Sequence, residues 1–316
     1  MHPRPSTAPG FTMVELAAVL AVIAVAVAFL IPAGRRVMLA ARTAECLANQ
    51  RTIALALHAY AVSNAGRFVS PRSDDGGKDG GIQARIGGRD QPMPALRWSH
   101  WWVRAYSAGG HAGLVSLDGG MQETPASITA GVLFPYVGDP GAYLSPEEPA
   151  SGSRPGTPAR VRSYSLNSLL GITRPNENTA YDRTFTSPMF GGQPSIDQFD
   201  TTTVSRIRRP SRMLCTIVED DPANWNTQGW VIHADRPLWT DFPAPWRPDA
   251  IAFSCVDGST ETRSLADPSL PAAWLAKGHG LPQLADTEVP ALDWKFFRDR
   301  LNPGVLPGSG PAYGGS

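Results

Sequence analysis

The chain has 316 residues, with 28 basic and 28 acidic side chains, so its formal charge is balanced. That excludes the basic excess that serves nucleic-acid binding. With 31 Gly and 30 Pro the chain is loop-rich, yet long enough to bury one sizeable core.

Residues 1–10 form a short leader with prolines on either side of Arg4. Gly10-Phe11-Thr12-Met13-Val14-Glu15 then opens an uncharged apolar run from Leu16 to Gly34. As a helix this run is about 28 Å long, close to the ~30 Å hydrocarbon thickness of a bilayer, so a transmembrane helix is predicted over about residues 14–34. Glu15 stands at its lip, where an isolated carboxylate costs about 2.5–3.5 kcal/mol to insert. A cut between Gly10 and Phe11 would free an amino group able to meet the Glu15 of a neighbouring copy. At ~4 Å and an effective dielectric near 20 such a pair is worth about 4 kcal/mol before desolvation. That offsets the insertion cost and favours lateral packing of identical helices.

This Gly-Phe-Thr-x-x-Glu, with its apolar run and Pro32, resembles the N-terminal processing and methylation motif of type IV pilins and type II secretion pseudopilins. The motif itself covers residues 10–64. The resemblance implies that Gly10 precedes the scissile bond, Phe11 becomes the N-methylated first residue, and Glu15 is the intramembrane glutamate of assembly. It also implies three partners: a prepilin peptidase, other pilin or pseudopilin subunits, and inner-membrane lipid. The chain would cross the inner (cytoplasmic) membrane once, with the leader in the cytoplasm and the body in the periplasm or outside, and then enter a filament. Charge bias does not set this orientation, because Arg35, Arg36 and Arg42 outnumber Arg4. The rival reading is a secretory signal peptide cleaved near Ala26-Val27-Ala28. Its apolar region would exceed the usual length and begin on a glutamate, so the pilin-type reading is preferred.

Beyond Gly34 no Gly or Pro interrupts the chain before Asn64, and Ala, Leu and Arg favour helix. Cys46, Gln50, Ile53, Leu57 and Tyr60 recur at helical spacing on one face. A single long helix over 11–64 is therefore predicted, with a kink allowed at Pro32 and its second half lying on a globular domain at 65–301. Residues 66–94 read as a polar surface loop. Asp74, Asp75 and Asp79 within it lack the alternate spacing of a calcium loop. The aromatic segment at 98–106 reads first as a cap on the core, and second as a sugar-stacking or ligand platform built from Trp98, His100, Trp101, Trp102 and Tyr106.

Gly131, Leu133, Pro135 and Tyr136, then Ser163, Tyr164 and Asn167, resemble the G-x-L-x-P-Y and S-Y-x-x-N segments of a branch of large, planctomycete-type pseudopilin-like proteins. Ser145-Pro146 stands where that branch implies Cys-Pro, so any disulfide there is lost. Gly138-Asp139-Pro140-Gly141 is a turn cluster, and 168–203 reads as an insertion loop. Met213–Val218 is predicted as a buried strand, with Glu219-Asp220-Asp221 as a solvated turn in preference to an acid/base pair. Ile251–Val256 and Ser259–Leu265 are predicted to pair through an Asp257-Gly258 turn. This resembles the branch's F-x-D-G-H-V hairpin, with Ser259 replacing the His; Trp246 and Arg247 stand where the branch tends to place another His. Asp293–Leu301 has helical spacing, with Trp294, Phe297 and Leu301 on one face, and 302–316 reads as a disordered tail.

Cys46, Cys215 and Cys255 cannot all pair. Cys215 and Cys255 can be read as a disulfide or, preferably, as two buried thiols, and no metal-ligand spacing is present. The histidines (His2, His58, His100, His111, His233 and His279) lie outside any metalloprotease or nucleophile-elbow pattern. No catalytic residue, cofactor, metal or small-molecule substrate is assigned. The expected fold is α+β: a long N-terminal helix, transmembrane then amphipathic, packed on a small antiparallel sheet with long loops. The expected function is that of a structural subunit, a minor one on account of its size and loops, of a type IV pilus or type II secretion filament. The competing class is an exported, membrane-anchored binding module or filament-tip adhesin using 98–106 and 168–203.

Overall fold

The computed structural model describes residues 12–69, 71, 83–86, 89–92, 102–103, 116–117, 120–121, 125–148, 160–171, 201–219, 229–230, 232, 241–244, 246–247, 250–267, 270 and 288–303. The fold is α+β, a long N-terminal helix packed on a four-stranded antiparallel sheet. By contacts the chain divides into two units, Met1–Ala44 and Glu45–Ser316.

Helix α1 spans Met13–Ser63 and is continuous through Pro32, although proline removes one backbone donor there. Residues 12–42 are all exposed, including Val22, Phe29 and Leu30. This is the one helix among the described residues long and apolar enough to cross a membrane. Past Glu45 the helix becomes two-faced. The stripe Cys46, Gln50, Ile53, Leu57 and Tyr60 is buried, together with Ala54, Ala56 and Ala61. The helix ends where Gly66 N–H reaches back to Ala61 C=O at 2.7 Å across a left-handed Ala65.

Strands β1 (Gln83–Ile86) and β2 (Arg89–Pro92) pair antiparallel, as do β3 (Ser116–Leu117) and β4 (Gly120–Met121). The first pair corrects the reading of 66–94 as loop throughout: two short runs in this glycine-rich stretch pair as strands, with Ile86 opposite Arg89. Short helices α2 (Pro125–Thr129) and α3 (Phe134–Val137) and a 3-10 turn at Pro140–Tyr143 follow.

The main sheet has the order β5 (Tyr164–Leu166), β6 (Leu214–Val218), β7 (Ala250–Cys255), β8 (Thr260–Ser264). Its two inner strands are wholly buried runs, as their apolar and β-branched composition dictates. One face receives α1: Gln50 Oε1 accepts from Thr216 Oγ1 at 2.9 Å, and Thr216 and Ser254 hydroxyls meet at 2.5 Å. The opposite face receives helix α4 (Glu288–Leu301), whose Phe296 and Phe297 make edge contacts with Phe253 at 5.8 Å. The sheet is therefore the middle of three layers.

Two boundaries differ from expectation. Helix α4 begins at Glu288, before the expected Asp293, and Asn302 and Pro303 are buried, so the chain stays packed past the expected start of the tail. The β7–β8 turn also differs. Gly258 N–H donates to Cys255 C=O at 3.0 Å, Cys255 N–H donates to Ser259 C=O at 2.8 Å, and Gly258 alone carries positive φ (87°). The loop is thus wider than a two-residue Asp-Gly turn, with Gly258 in the left-handed bulge position.

Candidate functional site

Gly10 and Phe11 lie outside the described residues. Glu15 sits in the first turn of α1 and does something the charge argument missed. Its Oε2 accepts from Thr12 N–H and from Thr12 Oγ1–H, both at 2.8 Å, while Glu15 N–H donates back to Thr12 Oγ1 at 3.2 Å. This is a capping box, legible as Thr-x-x-Glu in the sequence. It satisfies donors that the first helical turn cannot satisfy by itself, and it puts a negative charge at the positive end of the helix dipole. Oε1 makes no hydrogen bond among the described residues, so one oxygen is left for a further donor while the other holds the cap.

The residues carrying the second resemblance come together as packing joints. A Cβ at Gly131 would stand 2.1 Å from Trp102 C=O, so glycine lets two backbones touch. Leu133 is buried, and Tyr136 meets Tyr60 of α1 edge-on at 5.8 Å. Asn167 is wholly buried: its amide donates to Leu214 C=O (2.9 Å) and Leu301 C=O (2.7 Å), and its Oδ1 accepts from Leu169 N–H (3.0 Å). One side chain thus ties β6 to the end of α4. Tyr164 OH reaches Leu144 C=O at 3.3 Å and Cys46 C=O at 3.5 Å, and burial drives its phenol pKa upward. Ser145 Oγ donates to Cys46 Sγ at 3.5 Å; the cysteine that the resemblance implies at 145 would face Cys46. His58 Nε2 donates to Val256 C=O at 2.5 Å, a tie from α1 to the sheet.

Trp102 is a core residue. It is 1% exposed, donates through Nε1 to Pro71 C=O at 3.2 Å, and lies beneath the Arg162 guanidinium at 5.0 Å. Trp98, His100, Trp101 and Tyr106 lie outside the described residues, as do Asp74, Asp75, Asp79 and most of 168–203. Cys46, Cys215 and Cys255 are buried free thiols.

The solvated-turn reading of Glu219 is overturned. Its backbone N–H donates to Ser163 C=O at 3.0 Å, continuing the β5–β6 ladder, and it bridges Pro243 on the other side. Its side chain is buried and accepts from the Ser165 hydroxyl, which also accepts from Arg162 at 2.9 Å. Alongside, Ser163 Oγ donates to Glu148 Oε2 at 2.6 Å, Arg160 pairs with Glu148 at 3.4 Å, and Arg247 pairs with Glu147 at 3.9 Å. Arg160 also lies over Trp246 at 5.6 Å. Ser165 is held on both sides and buried, so its hydroxyl serves as a link within this seam. Among the described residues no group of three or more His, Cys, Asp or Glu could hold a metal ion.

No family model matches the chain, and no curated protein or solved structure matches it either.

Proposed function

We propose that the protein is a structural subunit, pilin-like or pseudopilin-like and minor, of a type IV pilus or type II secretion filament. In this reading a prepilin peptidase cuts between Gly10 and Phe11 from the cytoplasmic side of the inner membrane. The apolar half of α1 holds the chain there with its body in the periplasm or outside, and helices of neighbouring subunits then pack side by side. The observation that carries the reading is helix α1 itself: one unbroken element, exposed and apolar over its first half, two-faced and buried on an antiparallel sheet over its second. A core helix would not leave such a run uncovered. The protein's role is mechanical rather than catalytic, and its partners are its peptidase, sister subunits and lipid. The binding-module alternative draws no support from Trp102, whose ring is spent on the core.

Mass spectrometry of the native N-terminus tests processing. A mature chain beginning at methylated Phe11 is expected; one beginning beyond Ala28, or one that polymerises with its leader intact, overturns the proposal. The role of Glu15 is tested by two substitutions. Glu15→Gln keeps a capping-box acceptor but loses the charge, and Glu15→Ala loses both. If Glu15 pairs with a neighbour's amine, both variants are processed yet enter filaments poorly. Normal incorporation of Glu15→Gln would reduce Glu15 to a helix cap.

A further inference from the structure

The two edges of the main sheet are unlike. Beyond β5, Trp230 N–H donates to Leu166 C=O at 2.7 Å and Ser168 N–H to Trp230 C=O at 3.3 Å, so that edge is covered. β8 is the other end of the sheet, and no strand among the described residues pairs with its outer side. In the β7–β8 register Ile251 faces Arg263 and Phe253 faces Glu261, and Cys255 N–H donates to Ser259 C=O. Alternation from that bond assigns the inward backbone groups to Glu261 and Arg263, and turns those of Thr260, Thr262 and Ser264 outward. Among the described residues nothing pairs with these outward groups. Glu261, Thr262 and Ser264 are exposed. The strand's exit is nevertheless pinned, because buried Asp293 accepts from Ala266 N–H (3.0 and 2.8 Å) and Asp267 N–H (3.1 Å). Arg263 is held over Phe296 at 4.4 Å and beside Asp293 at 3.6 Å, its side chain still a third exposed. The edge is short and tied at its exit, and its outward backbone groups are unpaired among the described residues.

We propose that β8 is an interface between two copies of this chain, which pair antiparallel about a two-fold axis at Thr262. The occupant is argued from the strand's own order, Thr260-Glu261-Thr262-Arg263-Ser264. Centred on Thr262, the pairing sets Glu261 opposite Arg263 of the second copy and Arg263 opposite its Glu261. Thr260 and Ser264 face each other at both ends, and Thr262 faces itself. All three outward residues then exchange backbone bonds, about six in total, and both side-chain charges meet their opposites. The neighbouring registers that also use the outward groups set Glu261 against Glu261, or Arg263 against Arg263. Like charges directly opposite are destabilising, so the charges that ordinarily protect an edge strand here choose one register. A two-fold axis needs such a self-complementary patch. So short an interface is weak between free molecules and gains from a high local concentration. It lies wholly within the unit Glu45–Ser316 and does not depend on how the N-terminus is processed.

The test uses the full chain in lipid vesicles carrying Thr262→Cys, with Arg208→Cys as an exposed control outside β8. In a hydrogen-bonded antiparallel pair the Cα atoms are about 5.5 Å apart, inside the roughly 4.4–6.8 Å span of a disulfide. Mild oxidation is expected to give a covalent homodimer in the Thr262→Cys chain and little in the Arg208→Cys control. Adding Glu261→Lys, an exposed change that sets like charges opposite Arg263, should lower the dimer yield at least about fivefold. The dimer should persist when Glu15→Ala is also present, which separates edge pairing from assembly through α1. A yield from Thr262→Cys no greater than from Arg208→Cys, a yield indifferent to Glu261→Lys, or capture of a different protein by the Thr262→Cys thiol in cells would each overturn the second-copy assignment.

Discussion

At position 145 a serine hydroxyl rests on the Cys46 sulfur, 3.5 Å away, between residues 99 apart in sequence. Ser145→Cys is therefore expected to close a disulfide with Cys46. In the chain-entropy account so long a loop is worth about 4–5 kcal/mol, to be read as a rise in the denaturation midpoint that dithiothreitol abolishes. The other two thiols act through pH. Burial pushes Cys215 up to about 12 and Cys255 up to about 11, against about 8.5 in an unfolded chain. The folded state thus holds protons that the unfolded state releases, so stability is level below about pH 8.5 and falls as pH rises toward 11. Denaturant midpoints across that range should show the fall, and Cys215→Ala should flatten it. Tyr143 and Tyr164, also raised by burial, add to the decline in the same direction at higher pH.

Among the elements, α1 and the β7–β8 hairpin were the most legible, because each repeats a simple period or carries a marked turn. The stripe from Cys46 to Tyr60 could be read from spacing alone, and Asp257-Gly258 announced the hairpin. What spacing could not supply was the turn's width. Only Gly258 takes positive φ (87°), and a Cβ there would lie 3.4 Å from the Leu55 side chain. Gly258→Ala is expected to cost about 1–2 kcal/mol, the penalty of a left-handed L-residue, with Gly258→Asn costing less; urea titration of each variant measures it. The capping box at Thr12 was equally open to reading. A membrane charge and a helix cap are compatible in Glu15, because one carboxylate has two oxygens and only Oε2 holds the cap.

For the whole molecule, the exposed first half of α1 and the packed remainder make different demands on solvent. A chain starting at Arg35 removes the apolar run but keeps every residue of α1 that is buried on the sheet. It should stay soluble without detergent and unfold in one cooperative step at the midpoint of the full chain in micelles. A fragment that still needs detergent would mean that residues 12–34 complete the core. The same division separates the two surfaces proposed for self-association: lipid-level packing of α1 rests on Glu15, and edge pairing rests on β8.

By itself the sequence determined the long helix, its change from uniformly apolar to two-faced, the buried strands and the closing helix. Those follow from local periodicity, which a chain carries wherever it folds. Tertiary structure alone decided that Glu219 turns inward to Ser165 and that Ser145 meets Cys46. It also decided that β8 stands at the end of the four-stranded sheet. Each of these depends on which distant segment arrives to supply a partner, and a residue's own neighbours do not encode that arrival.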